Sequence, residues 1–270
     1  MQKHQLPINL IEGTQNRKLI GESINYNFLT TYQEVGPTCP TTCWFHPQSV
    51  HVTERKALGL NACYTLKGQM ARHVSKAKFA DAVWDGNELN ILRQDLGFKF
   101  LMHSSGRKAI DGIRWSTGGD ILHPDTGEVW EEFVDLIIDA NDKALELGIP
   151  TIGFTATWRM PGAQRLRGHF HASCQTESEV LEAVSLGWTV AYAVPKGKVD
   201  EALAFFKLHN INGMWCAEQA GKADSCADCG ICARYNAYVH KSHPLEPKYM
   251  RFRRKNNTIN IPWSIVLVSH

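Results

Sequence analysis

The sequence predicts an α/β protein, an incomplete or irregular parallel (β/α) barrel, and three observations predict it. Short apolar runs of strand character alternate with stretches of helical periodicity, most regularly after residue 150; this order builds parallel βαβ units. The chain has 270 residues, a length that α/β barrels fill as one domain, so residues 1–270 are read as a single domain. The unusual residues Cys39, Gly118 to Asp120, Arg159, Cys174, Pro195 and Cys216 all fall at or just past the end of an expected strand. In a parallel barrel those ends converge on one face, and that face carries the site.

Ser23 to Thr31 alternates apolar and polar residues and is expected to be a strand leading into the Cys39 loop. From Gly68 to Leu96, Met70, Val74, Ala77, Ala80 and Val83 recur at helical intervals. Ile113 to Ser116 is a short strand ending on Thr117-Gly118-Gly119-Asp120. A helix follows, capped by Asp125 or Thr126, with Trp130, Phe133, Val134 and Ile137 facing inward and Gly148 as its stop. A strand over Thr151 to Thr157 leads to the loop around Gly162, and another runs from His169 to Ser173. Helices at Ser178 to Leu186 and Val199 to His209 flank a strand at Thr189 to Ala193. Ile211 to Trp215 runs into Cys216, and Ile261 to Val268 reads as a last strand.

The composition is that of an ordinary globular protein, 43% hydrophobic and 21% charged. A formal net charge of +2 creates no global field toward nucleic acid or membrane. The basic cluster Lys248, Arg251, Arg253, Arg254 and Lys255 is either a solvated segment or a contact for nucleic acid or an acidic host protein. The start has no apolar signal region and no stretch of eighteen apolar residues occurs, so a cytoplasmic protein with no membrane partner is expected. In that reducing compartment cysteines are thiols or metal ligands.

Seven of the eight cysteines fall into two patterns, on loops at residues 36–66 and 214–234. Cys216, Cys226, Cys229 and Cys232 supply four thiolates, the last three at consecutive x2 spacing. That spacing points to a [4Fe–4S] cluster, with structural zinc as the alternative. Cys39, Cys43 and Cys63 supply three thiolates and leave a position open. His46 and His51 offer a fourth ligand for zinc, and three unrelated buried cysteines is the plain alternative. His169 and His171 alternate along a strand and share a face, either to ligate metal or as ordinary strand-end residues. Arg159, Arg165 and Arg167 flank a Gly-containing loop that either receives a carboxylate or phosphate or is simply solvated. Cys174 reads as a small buried hydrophobe, and Trp115 and Trp215 as packing.

The Cys39-x3-Cys43 loop after a first strand, with Gly118-Gly119-Asp120 after a later one, resembles the radical S-adenosylmethionine enzymes. The resemblance implies that Cys39, Cys43 and Cys63 hold a [4Fe–4S] cluster with an open iron. It also implies that Gly118, Gly119 and Asp120 bind S-adenosylmethionine. Cys63 follows Cys43 after nineteen residues, where that family has two. Closer is the bacteriophage gene-product-88-like family, which the chain resembles in Thr38-Cys39-Pro40, Cys63-Tyr64 and the Cys216 to Cys232 segment. This implies a phage or prophage origin and an iron–sulfur protein. Two function classes follow as expectations. One is a radical-type enzyme acting on a nucleotide, nucleic acid or peptide; the other is a non-catalytic electron carrier, redox sensor or cluster-stabilised binding protein. A zinc-stabilised nucleic-acid-binding module is the alternative to both.

Overall fold

Parallel strands, each returning through a helix, form the frame of the computed structural model, which describes residues 8–11, 27–33, 35, 37–46, 48–57, 63, 87–107, 110–229, 232–233 and 264–268. In chain order the elements are β1 (Asn9–Ile11), β2 (Phe28–Tyr32), α1 (Val52–Ala57), α2 (Glu88–Ser104), β3 (Gly112–Gly118), α3 (Glu131–Glu146), β4 (Thr151–Ile152) and β5 (Phe154–Thr155). A 3-10 turn at Pro161–Leu166 precedes β6 (His171–Cys174), α4 (Glu177–Ser185), β7 (Val190–Val194), α5 (Val199–Leu208), β8 (Gly213–Trp215), α6 (Cys226–Cys229) and β9 (Ser264–Val268).

The strands form a four-stranded sheet, β1-β2-β3-β4, and a five-stranded sheet, β5-β6-β7-β9-β8. All pairings are parallel except β1 against β2. The α/β class and its parallel pairing therefore hold. The expected strand over Thr151 to Thr157 is divided at Gly153 into β4 and β5, which belong to different sheets. A Cβ at Gly153 would collide with the Phe170 ring, so close packing against that ring demands glycine there.

One face of the sheets buries Leu29, Ile113, Trp115, Ala172, Val190, Tyr192 and Val266 together with Phe133 and Ile137 of α3, Val180 of α4 and Phe206 of α5. Helices α3, α4 and α5 turn their apolar stripes inward, the usual way such a layer is stabilised. Trp115 donates its indole N–H to Asn141 Oδ1 of α3 at 2.7 Å, which satisfies the polar edge of a fully buried ring. The opposite face carries Arg114, Phe154, His171, Ala191 and Ile265, because neighbouring residues along a strand alternate.

Several sequence expectations are corrected. Residues 68–86 of the expected Gly68 to Leu96 helix lie outside the described residues, and α2 runs on through Leu96 to Ser104. Leu89, Leu92, Leu96 and Phe100 extend one buried stripe past the expected end, while Gly97 has open space where a side chain would project. Neither Asp125 nor Thr126 caps α3. Residues 122–129 instead close a turn through the Leu122–Val129 bridge, and Trp130 takes the N-cap place. Gly148, at φ +70, does end that helix region. Helix α4 begins at a capping box in which Thr176 and Glu179 exchange side-chain and backbone hydrogen bonds. The short α1 was not expected. No helix among the described residues is long and apolar enough to cross a membrane. The basic segment 248–255 lies outside the described residues.

Candidate metal centre

The first cysteine loop is tied down at both ends. Where β2 ends, the fully buried Gln33 donates its backbone N–H to Gly118 O at 2.8 Å. Thr38, one residue before Cys39, accepts at Oγ1 from Asp120 N at 3.1 Å, and its carbonyl accepts from Leu122 N at 3.2 Å. The Gly118-Gly119-Asp120 turn therefore holds the entry to the loop. From there the chain makes successive tight turns, with Cys43 N donating to Pro40 O and His46 N to Cys43 O.

Arg55 of α1 organises the middle of this loop, a role the sequence did not signal. Its side chain is buried, and Nη1 donates to Trp44 O at 2.9 Å and His46 O at 3.0 Å. Replacing it removes a charged donor from two buried carbonyls. Arg55→Ala is expected to cost about 2–3 kcal/mol and to speed amide exchange across residues 39–46. Equilibrium denaturation and hydrogen exchange measure the two effects, and unchanged exchange in that loop would refute the assignment.

Cys63 returns to the same place. Its backbone N–H donates to Phe45 O at 3.0 Å. Burial pushes the Cys43 thiol up to about 12; the N–H of Phe45 draws it down, while the negative charges of Asp120 and Cys63 raise it further. Cys43, Cys63 and Asp120 thus share one locale. Cys39 stands half-buried between Thr38 and Pro40.

Asp120 is buried, and burial pushes its carboxyl up to about 6 against the hydrogen bonds that lower it. Oδ1 accepts from Thr155 Oγ1 at 2.7 Å and from Ile121 N at 2.9 Å, and Oδ2 accepts from Ala156 N at 2.7 Å. The carboxylate joins the end of β3 to the end of β5. Gly119 has φ +76, and a Cβ there would lie 2.5 Å from Thr38 Oγ1 and 2.6 Å from Gln33 Cβ.

The second cysteine segment lies over the other sheet. Cys216 follows β8 and donates its N–H to Val266 O of β9. Cys226 and Cys229 sit one turn apart on α6. Cys229 is buried with Ala191, Ala217, Ala223 and Ile265, and Cys232 packs against that cluster beside Phe154. Strand β5 stands between the two cysteine groups: Thr155 bonds Asp120, while Phe154 packs beneath the second segment.

The remaining candidates resolve individually. His46 Nδ1 accepts from Gln48 N at 2.9 Å, and His51 stacks on Trp44 at 4.6 Å. His169 and His171 do not share a face. Residue 169 still belongs to the turn from Leu166 and its Nδ1 lies 3.4 Å from Asn141 Nδ2 of α3, whereas His171 begins β6 and its Nε2 lies 2.8 Å from Cys232 O. Arg159 pairs with Glu179 and Glu182, Arg165 with Glu131 and Asp135, and Arg167 donates to Leu186 O. These three arginines hold the surface of the fold together. Cys174 is fully buried in the helix-side core, where burial pushes its thiol up; it packs as a small hydrophobe, as does Trp115 in the same core.

No disulfide joins the eight cysteines. Among the described residues no three His, Cys, Asp or Glu side chains are drawn together as a ready metal site. No family model, curated protein or solved structure matches the chain.

Proposed function

We propose that the chain is an iron–sulfur protein built on an incomplete parallel barrel, with its clusters on the loops that follow the C-terminal strand ends. The observation that carries this reading is the return of Cys63, across nineteen intervening residues, to hydrogen-bond Phe45 beside Cys43. Backbone N–H groups at Phe45 and His46 favour the Cys43 thiolate, while burial and the charges of Asp120 and Cys63 oppose it. A bound cation reverses that balance, which suits a ligand thiol better than a packing one. Hydrogen bonds to the sulfurs are also among the levers that set the potential of such a cluster.

In this reading Cys39, Cys43 and Cys63 form one ligand set with an open position. Cys216, Cys226, Cys229 and Cys232 form a closed one. The chemistry supplied by such clusters is one-electron transfer. The chain's own part is to hold the sulfurs on a braced loop, with Arg55 and Asp120 as positioning residues, and to exclude water around Cys43 and Cys229. S-adenosylmethionine fits less well. Gly118 O, Asp120 N–H and the Asp120 carboxylate already have partners within the chain.

The test is iron, acid-labile sulfide and zinc per chain on protein purified without oxygen. About eight iron and eight sulfide are expected, falling to about four in Cys63→Ala and in Cys229→Ala. Zinc without sulfide overturns the reading and leaves a structural metal protein. Full metal content in Cys229→Ala overturns the second ligand set.

A further inference from the structure

Arg114 lies mid-strand on β3, on the face of the sheets opposite the helices. Its in-register neighbours are Thr30 of β2 and Ile152 of β4. Its guanidinium carbon lies 4.1 Å from the centre of the Phe154 ring, two residues past Ile152. The side chain therefore leans along the sheet toward the C-terminal strand ends, to the level of Ser116. Phe154 is in register with His171, their rings 5.3 Å apart, and His171 contacts the carbonyl of Cys232. On the other side, Ser116 Oγ accepts from Gln33 Nε2 at 3.2 Å, and the buried Gln33 Oε1 has no partner among the described residues. Ser116 itself has φ +46, a conformation a serine rarely adopts and one that clusters at ligand sites.

Arginine keeps its charge at any accessible pH. Arg159 and Arg165 each meet two carboxylates, yet Arg114, half-buried, makes no ion pair or hydrogen bond with any described residue. Asp120 does not serve it, because that carboxylate is spent on Ile121, Thr155 and Ala156. A half-buried guanidinium over an aromatic face, with no carboxylate beside it, has its donor fork to offer an oxyanion.

We propose that this inner face is an oxyanion-binding site centred on Arg114, which takes the carboxylate or phosphate group of a small-molecule ligand. The Phe154 ring lies against the guanidinium. Gln33 and Ser116 lie toward one side of the ligand, His171 and the Cys232 segment toward the other. The site stands beside the second cysteine group but does not depend on which metal those cysteines hold.

The experiment titrates inorganic phosphate and acetate separately into the full chain and follows the arginine side-chain N–H resonances. The Arg114 signal is identified by its loss in Arg114→Gln. Saturable shifts of that signal are expected in the wild type, with affinity at least about tenfold weaker in the variant and an unchanged fold by circular dichroism. Phosphate binding alone assigns a phosphoryl ligand, and acetate binding a carboxylate. If Arg114→Gln does not fold, Arg114→Lys keeps the charge without the fork and is expected to fold and bind about tenfold more weakly. Absence of saturable binding by either anion, or equal binding after substitution, overturns the site.

Discussion

Asp120→Ala is expected to lower stability by about 3 kcal/mol, because three donors lose their acceptor inside the protein. These are Ile121 N, Thr155 Oγ1 and Ala156 N, at 2.9, 2.7 and 2.7 Å. Ile121 and Thr155 are at least as buried as Asp120, so their donors reach water only if the ends of β3 and β5 part, whereas Ala156 is half-buried. Part of the loss is offset, because burying the carboxylate itself raises its pKa to about 6. Asp120→Asn is therefore the informative companion. It keeps one oxygen acceptor and relieves the buried charge, but turns an N–H2 toward the Ala156 donor. Its cost is expected at about half that of the alanine variant. Chemical denaturation gives both numbers. If alanine and asparagine cost the same, or either is neutral, the carboxylate is not the brace between the strand ends, and a direct ligand role for Asp120 gains ground.

Gly119→Ala is expected to be similarly severe, at about 2–4 kcal/mol, because a steric clash adds to the conformational penalty. The new methyl would lie 2.5 Å from Thr38 Oγ1 and 2.6 Å from Gln33 Cβ, with 3.0 Å to the Gln33 carbonyl carbon. Backbone cannot yield there, because Gln33 N and Thr38 Oγ1 are both hydrogen-bonded to the same turn. Gly127→Ala supplies the control. Gly127 has φ +68, close to the φ +76 of Gly119, but open space around the added carbon. It should cost only the conformational penalty, about 1 kcal/mol. The difference between the two variants measures how tightly the turn grips the residue before Cys39. Equal costs would mean that the contact yields freely and that the turn does not position the cysteine loop. Loss of metal from Gly119→Ala, with Gly127→Ala still loaded, would tie the turn to the centre.

The strands and helices from β3 to β8 were legible in the sequence because their apolar spacing serves the same core the structure shows. Trp130, Phe133, Val134 and Ile137 are all buried on one side of α3. The cysteine patterns were legible too, as was the placing of Cys39, Gly118 and Cys216 at C-terminal strand ends. What failed were boundaries and faces. His169 and His171 were read as neighbours on one face of a strand, but the turn from Leu166 holds the first of them out of it. Asp125 and Thr126 have the composition of caps, but a bridge between Leu122 and Val129 already orders that turn. Gln33, Arg55 and Thr155 gave no signal, because ordinary polar residues become site residues only through partners 9 to 85 positions away.

Local chemistry is what a sequence determines by itself: which stretches alternate, which repeat at helical intervals, and which loops carry thiols. In this protein that determined the α/β class and two cysteine-bearing loops. Tertiary structure alone decided the insertion of β9 between β7 and β8, the break at Gly153, and the convergence of Cys43, Cys63 and Asp120. It also decided that Arg159 and Arg165 are paired while Arg114 has no ion pair among the described residues. The physical reason is common to all of these. Each depends on contacts between segments distant in the chain, where packing volume and the need to satisfy buried polar groups select the partner.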